Sequence, residues 1–223
     1  MDTSNKNAMQ EDSCSCRYCD GFLHEDAPYR SVSCNTKLIE SRNFVVVPTI
    51  GMIIPGWLLI LTKHHIPNMA SIPLSWYDEM NELLQKAKTI VSSCFAPPYV
   101  FEHGAAPQQH QTSGSCVNHA HLHLIPSIHP VAIEKDILRA CNFVPVHGLA
   151  ALRGEPFAKT GYLYYVNTAG QTYAGPAADV PSQLIRRIVA AHAQKSDQWN
   201  WAMFPEKDNI LLTLDTIQLG DMP

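Results

Sequence analysis

A run of alternating histidine and apolar residues constrains this chain more than any other feature. Residues 119–126 read His-Ala-His-Leu-His-Leu-Ile-Pro. Successive side chains of a β-strand point to opposite faces of its sheet. The run therefore predicts a strand whose apolar side chains pack inward while His119, His121 and His123 line a wet surface. A solvent-facing strand edge with incidental histidines is the alternative interpretation.

The composition indicates what class of protein contains this strand. Of 223 residues, 46% are hydrophobic and 16% are charged, as expected of one large globular domain or one domain with an appendage. No stretch reaches the roughly 18 apolar residues of a membrane span, and no signal peptide is visible. With a net charge of −4, the chain as a whole lacks the excess of basic residues that is typical of nucleic-acid-binding proteins. We therefore expect a cytoplasmic protein with small ligands, no nucleic-acid or membrane partner, and a disordered tail at residues 1–13.

The seven cysteines are odd in number, and Cys14, Cys16 and Cys19 lie close together. Two thiolates at C-x-x-C spacing reach one ion, and in a reducing compartment this spacing favours a metal over a disulfide. Cys16 and Cys19 form that pair, with Cys14 as a spare. Tetrahedral zinc needs two further ligands, which one strand histidine and His65, or its neighbour His64, would supply. The cysteines expected to pack as small hydrophobes are Cys34, Cys94 and Cys141.

Periodicity predicts several strands and one long helix ahead of the histidine strand. Strands are predicted at 41–48, 57–61 and 99–102. The helix is predicted from Trp76 to about Ser93, with Ser75 as its N-cap and an apolar stripe on one face. A loop with glycine, proline and glutamine follows at 104–114. This order indicates an α+β sheet with its site at a strand end.

Residues 131–223 contain elements that the histidine strand does not explain. Helices are predicted at 131–141 and 182–192, and strands at 161–166, 200–204 and 210–214. Arg186 and Arg187 are expected to point outward into solvent, and Trp199 and Trp201 to lie in the core or an interface. We expect this extension to pack on the core, and hypothesise that it selects the acceptor or the non-reacting half of a substrate.

Four elements in this order resemble the histidine-triad (HIT) superfamily of nucleotidyl hydrolases and transferases. Residues 55–65, Pro-Gly-Trp-Leu-Leu-Ile-Leu-Thr-Lys-His-His, are similar to the family's proline-glycine strand that ends in lysine and histidine. Residues 101–104, Phe-Glu-His-Gly, resemble the strand end before the phosphate loop, and residues 114–118, Gly-Ser-Cys-Val-Asn, resemble the glycine-serine turn. The resemblance covers residues 14–130, including the cysteine pair of zinc-containing members. It implies a HIT-like antiparallel sheet with one long helix, followed by a C-terminal α/β extension at 131–223.

The resemblance also implies a mechanism. His121 would attack the α-phosphorus of a nucleotide and form a covalent nucleotidyl-histidine, which water or a second acceptor then releases. His123 would bind the same phosphate or assist the leaving group. Backbone N–H groups of the turn would neutralise phosphate oxygens. The positions that the resemblance assigns to substrate binding are Glu102, Gly114, Ser115 and Cys116.

The first triad histidine has a separate role in zinc-containing relatives. This implies a structural zinc ion bound by Cys16, Cys19, His65 and His119. Three positions depart from the family pattern. Cys116 replaces the turn serine, Thr49 stands near a ribose-binding aspartate, and Glu102 stands near an asparagine. A catalytic zinc cage made of the three strand histidines is a weaker alternative, because a cage normally recruits a second strand.

Other functions stay open beside hydrolysis. Histidine at the third triad position favours hydrolysis over sugar-phosphate transfer, since the related hexose-phosphate uridylyltransferases have glutamine there. A nucleotidyltransferase or phosphorylase with the same intermediate remains an alternative, as does a non-catalytic, zinc-stabilised nucleotide-binding protein. Relatives are commonly dimers joined through the long helix and an edge strand, which implies a homodimer.

Overall fold

A computed structural model describes residues 16, 18–19, 35–105, 118–154, 157, 161–178 and 180–220. The predicted disordered tail at 1–13 lies outside the described residues, as do Cys14, Cys34 and most of the loop predicted at 104–114. The described part contains the histidine strand, its neighbours and most of the C-terminal extension.

The described strands all belong to one antiparallel sheet. They are β1 (Ile39–Glu40), β2 (Phe44–Pro48), β3 (Leu58–Thr62), β4 (Pro98–Gly104), β5 (His121–Pro126), β6 (Val144–Pro145), β7 (Tyr162–Val166) and β8 (Thr172–Pro176). Their order across the sheet is β1-β2-β3-β5-β4-β7-β8-β6. The histidine strand, β5, lies between β3 and β4, with His123 opposite Leu59 on one side and Phe101 on the other. The predicted α+β fold with an antiparallel sheet is confirmed.

Four helices of the described residues pack on this sheet. They are α1 (Tyr77–Cys94), α2 (Pro130–Arg139), α3 (Leu184–His192) and α4 (Lys207–Gly220). The long helix α1 and its apolar stripe are confirmed, since Met80, Leu83, Ala87 and Val91 are buried. Its N-cap is Trp76 and not Ser75, because a short 3-10 turn at Leu74–Trp76 leads directly into it. None of the described helices is long and apolar enough to cross a membrane.

Both faces of the sheet are covered, which corrects one prediction. Ala120, Leu122 and Leu124 pack on the α1 side as expected and are fully buried. On the other side, a cluster that includes Trp57 and residues of α2, α3 and α4 covers part of the histidine face. His119 and His121 are therefore buried, at 1% and 8% exposure, and only His123 is partly exposed. Alternation within one strand fixes which side chains share a face but not what covers that face.

The C-terminal extension contributes strands to the sheet itself. β7 pairs with β4 in a register from Val100↔Val166 to Gly104↔Tyr162, and β8 and β6 continue the sheet outward. The strand predicted at 200–204 is wrong, because this segment is a turn region. The strand predicted at 210–214 is also wrong, since it lies within α4. Ile210, Leu214 and Ile217 are buried at helical spacing, which a five-residue apolar run does not distinguish from a strand.

Of the two arginines of helix α3 that were predicted to point into solvent, only one does. Arg187 is exposed as expected, but Arg186 is 4% exposed and lies inside the protein. Neighbouring helical positions differ by about 100° in direction, so two adjacent arginines can differ in burial.

Candidate functional site

His121, the middle histidine, is oriented by the backbone just before it. Its Nδ1 lies 2.6 Å from the carbonyl oxygen of His119. A carbonyl only accepts hydrogen bonds, so Nδ1 carries the proton and Nε2 keeps its lone pair. Burial lowers the pKa of His121, which favours the neutral ring. His121 therefore has the form that a nucleophilic imidazole requires.

His123 has the opposite tautomer. The indole Nε1–H of Trp57 donates to Nδ1 of His123 at 3.0 Å. Indole nitrogen only donates, so Nδ1 is the acceptor and the proton of the neutral ring is on Nε2. Burial, with His121, Arg186 and His103 nearby, holds the pKa of His123 well below its usual value. The His121 and His123 ring centroids are 4.9 Å apart, which brings a lone pair and an N–H donor together.

A Cys/His cluster lies beside the triad. The ligand atoms of Cys16, Cys19, His65 and His119 are all within 4.8 Å of one another. Sγ of Cys16 is 3.5 Å from Nδ1 of His119, and Sγ of Cys19 is 3.6 Å from Nδ1 of both histidines. A sulfur and a nitrogen on tetrahedral zinc, with bond lengths of about 2.3 and 2.0 Å, are about 3.5 Å apart. These spacings and the donor set fit zinc.

The orientation of His119 agrees with a role as ligand. Its Nε2 lies 2.7 Å from the carbonyl oxygen of Thr62 and 3.1 Å from the Thr62 hydroxyl. A carbonyl that holds one ring nitrogen leaves the other, here Nδ1, free to bind a metal. Burial lowers the pKa of His119 to about 4. His64, the alternative ligand, lies outside the cluster and packs against Trp76 at 5.8 Å between ring centroids.

Tyr18, within the C-x-x-C motif, joins the cluster to the triad. Its ring centroid lies 5.6 Å from that of His119 and 5.5 Å from that of His121. The ring also packs on an apolar cluster that includes Leu59 and Leu61 of β3. Sequence reasoning missed this residue, although its place between two predicted ligands was the available signal. The cysteine segment therefore covers one end of the histidine face.

Glu102 lies beside the histidine strand but is occupied by protein groups. Its Oε1 accepts from the Met69 backbone N–H at 2.8 Å, and its Oε2 accepts from the Tyr162 hydroxyl. The backbone N–H of His121 also donates to it, and burial raises the pKa of Glu102 to about 8. Substrate binding by Glu102 stays a prediction, and this geometry supports an indirect part through the backbone of His121. The other predicted substrate-binding residues, Gly114, Ser115 and Cys116, lie outside the described residues.

Comparison with protein families agrees with the fold and the triad. Residues 30–129 match the family model described as the HIT domain. This range contains His65 and all three triad histidines, whereas Cys16 and Cys19 precede it. The match therefore concerns the part of the chain that carries the histidine strand, somewhat less than half of its 223 residues.

Similar solved structures carry the same family name. One is a HIT family protein from Bacillus subtilis, with 20% identity, a TM-score of 0.41, and 52% of this chain and 75% of that chain covered. A HIT family hydrolase from Clostridium thermocellum has 23% identity, a TM-score of 0.33, and coverage of 42% and 80%. A zinc-bound histidine triad family protein from Mycobacterium smegmatis has 21% identity, a TM-score of 0.39, and coverage of 52% and 76%. Comparison with curated proteins gave no match.

Proposed function

We propose that this protein is a nucleotide hydrolase that acts at an α-phosphate through a covalent nucleotidyl-histidine on His121. The bond cleaved is a phosphoanhydride or a phosphoramidate. One observation carries the proposal, namely that His121 offers a lone pair at Nε2 beside a His123 ring whose proton is on Nε2. A cytoplasmic location and a homodimer belong to the same proposal, and the first rests on the sequence whereas the second rests on the resemblance.

The first step forms the covalent intermediate. Nε2 of His121 attacks the α-phosphorus, and the bond from phosphorus to the leaving group breaks with its electron pair going to that group. The hydrogen bond from Nδ1 of His121 to the His119 carbonyl stabilises the positive charge that develops on the ring. Nε2–H of His123 donates a hydrogen bond to the leaving atom or to a phosphate oxygen as negative charge grows there. When the leaving atom is the nitrogen of a phosphoramidate, that nitrogen takes a proton from solvent and departs as a neutral amine.

The second step releases the nucleotide. Water attacks the phosphorus of the nucleotidyl-histidine, the N–P bond breaks, and its electron pair returns to Nε2 of His121. The proton of the attacking water passes to solvent, and the nucleoside monophosphate leaves. Neutral rings at His121 and His123 restore the starting state.

We also propose that Cys16, Cys19, His65 and His119 bind a structural zinc ion. Four protein ligands fill a tetrahedral site and leave no position for a water nucleophile. When bound, such an ion neutralises the two thiolates and cross-links residues 16–19 to the segment before β5. This role is supported by the sulfur-nitrogen separations and by the Thr62 contact of His119.

Intact-protein mass spectrometry tests the proposal. The full chain is incubated briefly with dinucleoside polyphosphates, nucleoside phosphoramidates and nucleotide sugars, beside His121→Ala and the control His147→Ala, which changes an exposed histidine. We expect a gain of one nucleoside monophosphate in the wild type and the control only, with free monophosphate accumulating. Transfer of the nucleotide to a second acceptor would instead establish a transferase. Absence of both adduct and turnover, with nucleotide binding retained, would overturn the catalytic proposal in favour of a binding protein.

A further inference from the structure

Trp57, immediately before β3, donates a hydrogen bond to His123. It is fully buried, and its single polar atom, Nε1, donates to Nδ1 of His123 at 3.0 Å. The two rings meet edge to face at 5.7 Å between centroids. The proton position on His123 therefore depends on one indole N–H group.

Arg186 of α3 lies over the ring of that indole. Its guanidinium carbon is 5.1 Å from the Trp57 ring, within the range of about 6 Å for a cation–π contact. Carbonyl oxygens hold the guanidinium in place, with Nε donating to Trp199 at 2.8 Å and the terminal nitrogens donating to Ile50 and Gly51. The turn at Gly51 is shaped around this group, since a Cβ atom there would lie 2.7 Å from a guanidinium nitrogen.

We propose that Arg186 and Trp57 are positioning residues through which the C-terminal extension keeps His123 in the tautomer that donates from Nε2. This inference rests on the proposed function, in which that N–H serves the leaving group. The extension would then set the protonated nitrogen of a catalytic-site histidine, in addition to adding strands to the sheet.

Two physical effects support this assignment. A cation on the face of an indole draws electron density from the ring, so Nε1–H becomes a better donor to His123. The fixed charge of Arg186 also opposes a second positive charge on His123. The other titratable groups that act on His123 are His121 on its own strand and His103 on β4, and both disfavour its protonation as well.

The first test reads the tautomer without any substrate. Nitrogen-15 NMR of the histidine side chains at one pH near 7.5 reports which ring nitrogen of His123 carries the proton, and His123→Ala assigns the signals. We expect the Nε2–H form in the wild type and a mixture of tautomers in Trp57→Phe, which keeps a ring but removes the donor. An unchanged tautomer in a folded Trp57→Phe variant would overturn the proposal.

The second test compares two leaving groups. A hydrogen bond to the leaving atom matters most when that atom is a poor leaving group, as in a nucleoside phosphoramidate, and least for an activated nucleoside aryl phosphate. We expect Trp57→Phe to lower kcat for the phosphoramidate about tenfold more than for the aryl ester, the factor typical of one hydrogen bond. A merely structural defect would lower both rates equally, and that result would overturn the assignment.

Arg186 is tested with a matched neighbour. Arg186→Met should lower kcat for the phosphoramidate about threefold more than kcat for the aryl ester. Arg186→Lys should show a smaller difference, because it keeps the charge. The control is Arg187→Met, because the Arg187 guanidinium also stacks on a tryptophan, with its carbon 3.4 Å from the Trp199 ring centroid, but Arg187 is exposed. Equal effects of Arg186→Met and Arg187→Met would contradict the proposal. If the wild type forms no adduct, the proposed function fails while the NMR result still decides what holds the His123 ring.

Discussion

The two ends of the triad are buried by opposite parts of the chain. His119 faces the cysteines and Tyr18 of the N-terminal segment, and the Thr62 carbonyl holds its Nε2. His123 contacts Trp57, and Arg186 of the C-terminal extension lies over the ring of that tryptophan. One histidine therefore presents Nδ1 to sulfur, whereas the other presents an N–H from Nε2. Identical side chains four positions apart on one face differ in chemistry because of a single neighbouring atom in each case.

The proton position of His121, between them, is set by the backbone carbonyl of His119 and not by a side chain at either end. Damage to the His119 end should therefore affect mainly stability, and damage to the His123 end should affect mainly the rate. The following predictions test this separation, beginning with the largest expected effect.

At the His119 end, Cys19→Ser should abolish tight zinc binding. A ligand present at about 1,000 times its Kd stabilises the folded form by about 4 kcal/mol. The free energy of unfolding of Cys19→Ser should therefore be lower than that of the zinc-loaded wild type by a comparable amount. Elemental analysis and urea unfolding measure the two effects. The control is Cys94→Ser, because Cys94 is a free, partly buried cysteine outside the cluster. Equal zinc content in wild type and Cys19→Ser would contradict the assigned ligand set.

At the His123 end, His123→Ala should lower kcat for a phosphoramidate by about 100-fold, a typical contribution of one group that assists proton or charge movement. The mass adduct on His121 should still form with an activated aryl ester, since that leaving group needs little assistance. Zinc content and the unfolding midpoint should change far less than in Cys19→Ser. Loss of bound zinc in His123→Ala would show that the two ends are not separable.

The turn that holds Arg186 should tolerate no side chain. In Gly51→Ala the new Cβ would lie 2.6 Å from Cβ of Trp201, at a φ of +63°. The strain and the clash together should reduce the free energy of unfolding by about 2 kcal/mol. Gly170→Ala is the matched control, because Gly170 also has a positive φ, +85°, but nothing within 4 Å of the added atom. Similar losses in the two variants would mean that backbone conformation alone accounts for the effect.

A pH-dependent effect is expected beneath His121, where Glu102 accepts its backbone N–H. Because burial raises the pKa of Glu102 from 4.5 to about 8, the folded protein binds a proton that the unfolded chain releases between these values. The stability from this group is complete below pH 4.5 and is lost as the pH rises through about 8. Thermal unfolding of Glu102→Gln should therefore match the wild type near pH 5 and exceed its Tm near pH 9. Parallel curves for the two proteins, as expected for the exposed control Glu82→Gln, would refute the buried titration.

Local patterns predicted the parts of the site that depend on spacing. Alternation placed His119, His121 and His123 on one face, and the C-x-x-C motif led to the cysteines that the structure brings to His65 and His119. Both patterns express a geometry that a few consecutive residues determine.

Long-range contacts were beyond such patterns. Arg186 lies inward because the carbonyl groups of Ile50 and Gly51, more than 130 positions away in sequence, satisfy its guanidinium. No local rule assigns a buried position to an arginine that follows a buried isoleucine and precedes an exposed arginine. The hydrogen bond from Trp57 to His123 could not be predicted for the same reason, because His123 is on another strand.

The pairing of β7 with β4 has a consequence for aggregation. Within the described residues, the outermost strands of the sheet are β1 and β6, each two residues long, and β6 ends in Pro145, which has no N–H to donate. Long unpaired edges recruit strands from other chains, and short edges with proline resist this. The extension therefore shields β4, the strand next to the one that carries the triad, from intermolecular pairing. A homodimer, which stays a prediction, would not join through the backbone of β4, because β5 and β7 occupy both of its edges.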